Sequence, residues 1–165
     1  MKRTLTVISF FILSAFNICC SAGTQNTKEA PEGYLPVKSV VDGDTFWLDD
    51  GSFKGVKIRL IGVDAPESRK TFRKETGYFG KEAKAFLTDM IEGKNIKLKF
   101  DAGRFDQYHR TLAYVYLEDG TFVNAELVKQ GYAMVMTVPP NVKYAELFVK
   151  LQQEARENER GLWKK

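Results

Sequence analysis

Three short clusters hold the residues whose types and spacing suit chemistry on a phosphate. They are Val41-Asp42-Gly43-Asp44-Thr45, the run from Arg59 to Glu67 (Arg-Leu-Ile-Gly-Val-Asp-Ala-Pro-Glu), and Asp106-Gln107-Tyr108-His109-Arg110. Singly, each also reads as something ordinary: a hairpin turn whose aspartates bond the local backbone, a solvated loop after a strand, a polar connection. Jointly they offer carboxylates and two arginines at the ends of neighbouring strands. A cation bound by Asp44 and Asp64 would neutralise a phosphate and position water. Arg59 and Arg110 offer planar, bidentate donors for a charged transition state. Glu67 is placed to align or deprotonate an attacking water.

The rest of the composition narrows the chemistry. The chain has one histidine, His109, and its two cysteines, Cys19 and Cys20, lie near the N-terminus. A Cys/His zinc site is excluded, and neither a Ser-His-Asp arrangement nor a glycine-rich phosphate loop is present. A metal here would be held by oxygen, which favours calcium or magnesium.

The elements that must position these residues follow from periodicity. Val37 to Val41 and Thr45 to Leu48 flank the Asp42-Gly43-Asp44 turn. Lys54 to Val63 alternates, with Val56, Ile58 and Leu60 on one face and Lys57 and Arg59 on the polar other. Phe79, Ala83, Phe86, Leu87, Met90 and Ile91 recur at helical spacing before Gly93. Asn95 to Phe100 and Arg110 to Leu117 read as two more strands, Val123, Leu127 and Val128 as a short helix closed by Gly131. Tyr144, Leu147, Phe148, Leu151 and Ala155 make the stripe of a last helix, whose end Trp163 packs. The predicted fold is α+β and mainly β, a five-stranded OB-type Greek-key barrel with three helices.

The 165 residues, 44% hydrophobic and 13% aromatic, suffice for one globular domain, placed at 34–165. Residues 1–22 carry the charged, apolar and small-residue order of an export signal, and the breaker-rich stretch 23–33 reads as a linker. Two processing routes fit: cleavage after Ala22, or lipidation at Cys19 or Cys20 of a bacterial lipoprotein. The chain is thus expected outside the cytoplasm, secreted, periplasmic or lipid-anchored at the cell surface. Any membrane attachment would run through the N-terminal lipid, and a monomer is the default. The net charge of +4 is compatible with a polyanionic partner. Arg69, Lys70, Arg73 and Lys74, extended by Lys81 and Lys84, are either solvated charges or a basic rim that steers a nucleic-acid backbone.

In these clusters the sequence resembles the staphylococcal nuclease (thermonuclease) family, over about Leu35 to Trp163. The resemblance adds Leu112-Ala113-Tyr114, and Val123-Asn124, Leu127-Val128 and Gln130-Gly131, in the same order and spacing. It implies an OB-type barrel and a calcium-dependent phosphodiesterase that cuts DNA or RNA endonucleolytically and leaves 3′-phosphate ends. By resemblance Asp44, Asp64 and the backbone carbonyl of Ala65 are calcium ligands, and Asp42 supports the turn from behind. Glu67 holds the attacking water, Arg59 and Arg110 bind the phosphate in the transition state, and Tyr108 contacts a terminal phosphate. Departures from the family pattern fall on the substrate side: Gln107 where a lysine is expected, Thr137 and Pro139 near the places of two tyrosines, and His109 where glycine is frequent. Retention of Asp44, Asp64, Glu67, Arg59 and Arg110 argues against the alternative, a non-catalytic nucleic-acid- or protein-binding module on the same barrel.

Overall fold

The computed structural model describes residues 33–70 and 77–164. The export signal, most of the linker, and Arg73 and Lys74 of the basic loop lie outside the described residues. None of the described helices is long and apolar enough to cross a membrane.

Strand β1 (Tyr34–Asp42) turns at Gly43-Asp44 into β2 (Thr45–Leu48), which pairs antiparallel with β3 (Val56–Leu60). The turn is tight because its glycine is pressed inward: a methyl added to Gly43 would lie 2.6 Å from Ala65 Cβ and 3.0 Å from Ala83 Cβ. After β3 the chain departs from the expected single strand 54–63. It bends at Ile61 and Gly62 and continues as β4 (Gly62–Asp64), outside the barrel. Gly62 adopts φ 79°, a left-handed conformation that L side chains rarely take, and its Cα lies against the Phe148 ring.

Helix α1 (Gly80–Ile91) buries Ala83, Leu87 and Ile91, spaced by four, against the barrel. Strands β5 (Asn95–Lys99) and β6 (Thr111–Leu117) follow and pair antiparallel. Closure comes from two non-local pairings: β5 with β1, antiparallel, and β3 with β6, parallel, with Arg59 opposite Leu112. The order around the closed barrel is β1-β2-β3-β6-β5, so the expected five-stranded α+β barrel is the one observed. Phe46, Leu48, Ile58, Leu60, Ile96 and Val115 fill it.

Helix α2 (Val123–Lys129), strand β7 (Met134–Met136) and helix α3 (Ala145–Glu157) complete the fold. The unexpected β7 pairs with β4 in a separate two-stranded sheet. The last helix buries Phe148 and Ala155, while Leu147, assigned to its apolar stripe, is 39% exposed. Tyr114, Tyr116, Phe122, Tyr144 and Phe148 form one aromatic cluster that fastens both helices to β6. Within it, Tyr116 stacks on Phe122 at 4.6 Å and Tyr114 meets Tyr144 edge-on at the same distance. Arg156 covers the Trp163 ring at 4.3 Å beyond the last helix.

Candidate active site

The chain reversal at Gly62 determines what Arg59 does. Alternation along β3 assigns Arg59 to the polar face, away from the core, yet it is only 5% exposed. The fold-back into β4 covers that face and lays backbone across the guanidinium. Nη1 donates to the carbonyls of Leu60 (2.8 Å) and Val63 (2.7 Å). Nη2 donates to Asp64 Oδ1 at 2.8 Å and lies 3.2 Å from Asp44 Oδ2. A buried cation is tolerable here because four oxygens from three segments of chain satisfy it.

Asp44 sits on the hairpin beside Thr45, which is directly opposite Arg59 in the sheet. Its Oδ1 accepts from the Thr45 hydroxyl (2.8 Å) and its Oδ2 from the Ala65 N–H (2.9 Å). The hairpin and the β4 exit are therefore tied together through one carboxylate. Asp64 is the more open of the pair, its side chain 42% exposed. Ala65 is buried and uses its N–H on Asp44.

Asp42 Oδ1 accepts from the N–H groups of Gly43 and Ser68, each at 3.0 Å. Its pKa is nevertheless raised, first by burial and then by the neighbouring Glu67 carboxyl, and those two N–H bonds only partly offset this. Glu67 is fixed at its backbone, where its carbonyl accepts from Gly77 N–H at 2.9 Å.

Arg110 arrives from the other side, at the entrance to β6. Its Nε donates to Asp106 Oδ2 (2.6 Å), while the Tyr108 and Arg110 N–H groups donate to Asp106 Oδ1 (both 2.9 Å). Some desolvation acts to raise the Asp106 pKa, but these bonds and the Arg110 charge outweigh it and hold it low. The turn between them needs a left-handed residue, which His109 supplies at φ 58°. Histidine adopts that region more readily than most non-glycine residues, which accounts for its standing where glycine is frequent.

One cavity of about 700 Å³ is lined by Asp42, Asp44, Arg59, Asp64, Glu67, Tyr108 and Arg110. The structure thus brings together every predicted site residue except Ala65, which does not line it. Among the described basic residues of the expected rim, Arg69, Lys70, Lys81 and Lys84 do not line it either. Further contributors had been given no role in the site. Asp106 orients Arg110, a role signalled by its spacing four residues ahead. Lys57 lines the cavity, as its shared face with Arg59 implied. Pro139, already noted on the substrate side, forms an aliphatic wall with Met136, Val138 and Pro140, which no motif marked.

The donor set suits a hard cation. The described lining residues include five carboxylates (Asp42, Asp44, Asp64, Glu67, Asp106) against three cations (Lys57, Arg59, Arg110), so negative charge is in excess. Asp44 and Asp64 converge closely enough to share one guanidinium nitrogen. Among the described residues no three acidic, histidine or cysteine side chains make a complete metal cluster. A cation held here would draw on these two carboxylates, completed by backbone oxygen or water, as calcium commonly does.

The chain is similar to proteins of known class. A family model described as staphylococcal nuclease homologue matches residues 57–165. The thermonuclease of Staphylococcus intermedius is 41% identical over 135 residues, covering 81% of this chain and 77% of that protein. The thermonuclease of Staphylococcus hyicus is 38% identical over 144 residues, covering 87% and 81% respectively. Endonuclease YhcR of Bacillus subtilis is 35% identical over 134 residues, 77% of this chain but 11% of that longer protein. Arg59, Asp64, Glu67 and Arg110 all fall inside the matched family region, and with the barrel and the relatives they resemble, the chain belongs to the staphylococcal nuclease family.

Proposed function

We propose that this chain is a calcium-dependent nuclease that hydrolyses phosphodiester bonds of DNA or RNA endonucleolytically, leaving 3′-phosphate ends. The observation that carries the reading is the convergence of Asp44, Asp64, Arg59, Glu67 and Arg110 on one cavity. The thermonuclease and endonuclease names of the relatives support the same class. In this reading Asp44 and Asp64, with the Ala65 carbonyl, hold the calcium ion, and Asp42 braces the turn. The bound cation would neutralise charge on a phosphate oxygen and so ease approach of water to phosphorus.

The chain's own residues carry the remaining steps. Glu67 accepts a proton as water oxygen bonds to phosphorus; the bond to the 5′-oxygen breaks, and that oxygen takes a proton from solvent water as it leaves. Arg59 and Arg110 donate to the phosphoryl oxygens, where charge accumulates in the transition state. Asp106 keeps Arg110 aimed across the cavity, and Tyr108 contacts a terminal phosphate. Export through residues 1–22, by cleavage or lipidation, belongs to the same proposal.

The test is an assay on single- and double-stranded DNA and RNA, with calcium or with a chelator. Calcium-dependent cutting is expected, reduced about 10²–10⁴-fold in Glu67→Gln and lost in Arg110→Ala, with circular dichroism unchanged. Cutting that persists in chelator, or in both variants, would overturn the assignment.

A further inference from the structure

A second depression of about 480 Å³ adjoins the catalytic cavity, and the two share Lys57, Phe105, Tyr108 and Arg110. Its other walls come from Trp47 on β2, Lys54 and Val56 near the start of β3, and His109 on the left-handed turn. Two features distinguish it from the catalytic cavity. None of its described lining residues carries a carboxylate, so its charged groups are Lys54, Lys57 and Arg110. It is also rich in rings that solvent reaches: Phe105 is 52% exposed and Tyr108 63% exposed. Lys54 and Lys57 place their ammonium groups 5.5 and 5.6 Å from the centre of the Trp47 ring.

Large exposed rings cost solvation unless something covers them. Interleaved lysines and rings select the covering molecule: bases stack on the rings while the connecting phosphates meet the ammonium groups. A duplex hides its base faces, so the arrangement favours unpaired bases. The change of charge between the two depressions has a further effect. The acidic cavity repels phosphates unless a cation is bound there, whereas the neighbouring groove attracts them at all times.

We propose that this groove is a binding subsite for single-stranded DNA or RNA running on from the scissile bond. Trp47 and Phe105 are its stacking faces, and Lys54 and Lys57 its phosphate donors. The proposal rests on the nuclease reading for its substrate class, but its test is a binding measurement independent of cleavage.

The chain contains two tryptophans, and Trp163 lies in the final turn under Arg156. In chelator, titration with a single-stranded 12-mer of DNA or of RNA should quench Trp47 fluorescence; a dinucleotide should quench much less, as should a duplex. Phe105→Leu should weaken 12-mer binding about five- to a hundredfold, the span of one lost stacking contact. Lys54→Ala should lower the slope of log affinity against log salt by about 0.7, the single-strand value for one phosphate contact. Both should raise KM on the 12-mer more than on the dinucleotide. Trp47→Leu should abolish the quench, and the two surface variants decide the matter should that barrel variant not fold. Quenching and binding by a chain that cuts nothing would uphold the groove and overturn the nuclease reading. Duplex binding as tight as single-strand binding, or active groove variants indistinguishable from wild type, would overturn the groove alone.

Discussion

Asn124 is fully buried on α2, and its amide links two parts of the barrel that must stay in register for the site to exist. Its Oδ1 accepts from Val115 N–H at 2.9 Å, and its Nδ2 donates to the carbonyls of Ile61 (2.9 Å) and Ala113 (3.3 Å). In Asn124→Ala the Ala113 carbonyl keeps a partner, since Ile61 N–H donates to it at 3.0 Å. The Val115 N–H and the Ile61 carbonyl lose theirs. At about 1–3 kcal/mol for each buried group left unpaired, the substitution should cost about 4 kcal/mol. That is a large part of a total stability of about 5–15 kcal/mol, and it should lower Tm by roughly 15 °C for a domain of this size. Urea unfolding with an unchanged m-value measures the loss. Exposed Asn95, whose amide donates to Glu118 at 3.0 Å, is the control; its alanine variant should cost under about 0.5 kcal/mol. Equal losses in the two variants, or an Asn124→Ala cost under about 1 kcal/mol, would refute the reasoning. Ile61 opens the bend that brings Asp64 back over Arg59, so the same variant should also lose activity under conditions where it remains folded.

Two further outcomes follow from single contacts. In Arg59→Lys one ammonium replaces a fork that spans two carbonyls and two carboxylates, so kcat should fall about 10²–10³-fold; a change within about threefold in a folded variant would show that the fork geometry is not used. Tyr114 is held protonated above its ordinary pKa of 10.0, first by burial and then by its hydrogen bond to Asp101, so the stability it lends is complete below that pH and lost as pH rises past it. Tyr114→Phe should flatten the alkaline limb of a stability–pH curve, and a limb of unchanged steepness would place its origin elsewhere.

Residue type and spacing carried much of this architecture. Asp44, Asp64, Arg59 and Glu67 were legible because a turn, a strand end and a proline-stiffened loop leave few places for their side chains to go. The barrel was legible because five apolar runs alternate with period two or end at Gly and Asp turns. What escaped notice depends on non-local contact. Strand β7 is three residues long, too short for a period to show. The alternation that placed Arg59 on the polar side of its strand was correct about its face, but silent on what covers that face, because the cover is β4 folding back. Gly62 inside an apparent strand was the available signal for that reversal. The hold of Asp106 on Arg110 was written in the spacing, yet indistinguishable there from a polar connection.

Phe148 of α3 lies against Gly62, the residue at which β3 reverses over Arg59. The bend that shapes the site is thus closed by a side chain from α3, which is synthesised after every residue that lines the cavity. A nascent chain that ends before α3 already contains every acidic residue and both arginines of the cavity, but lacks the ring that holds the reversal shut. Domains of this size fold as units, so the site matures late and nearly all at once, and partly synthesised chains carry its residues without its geometry.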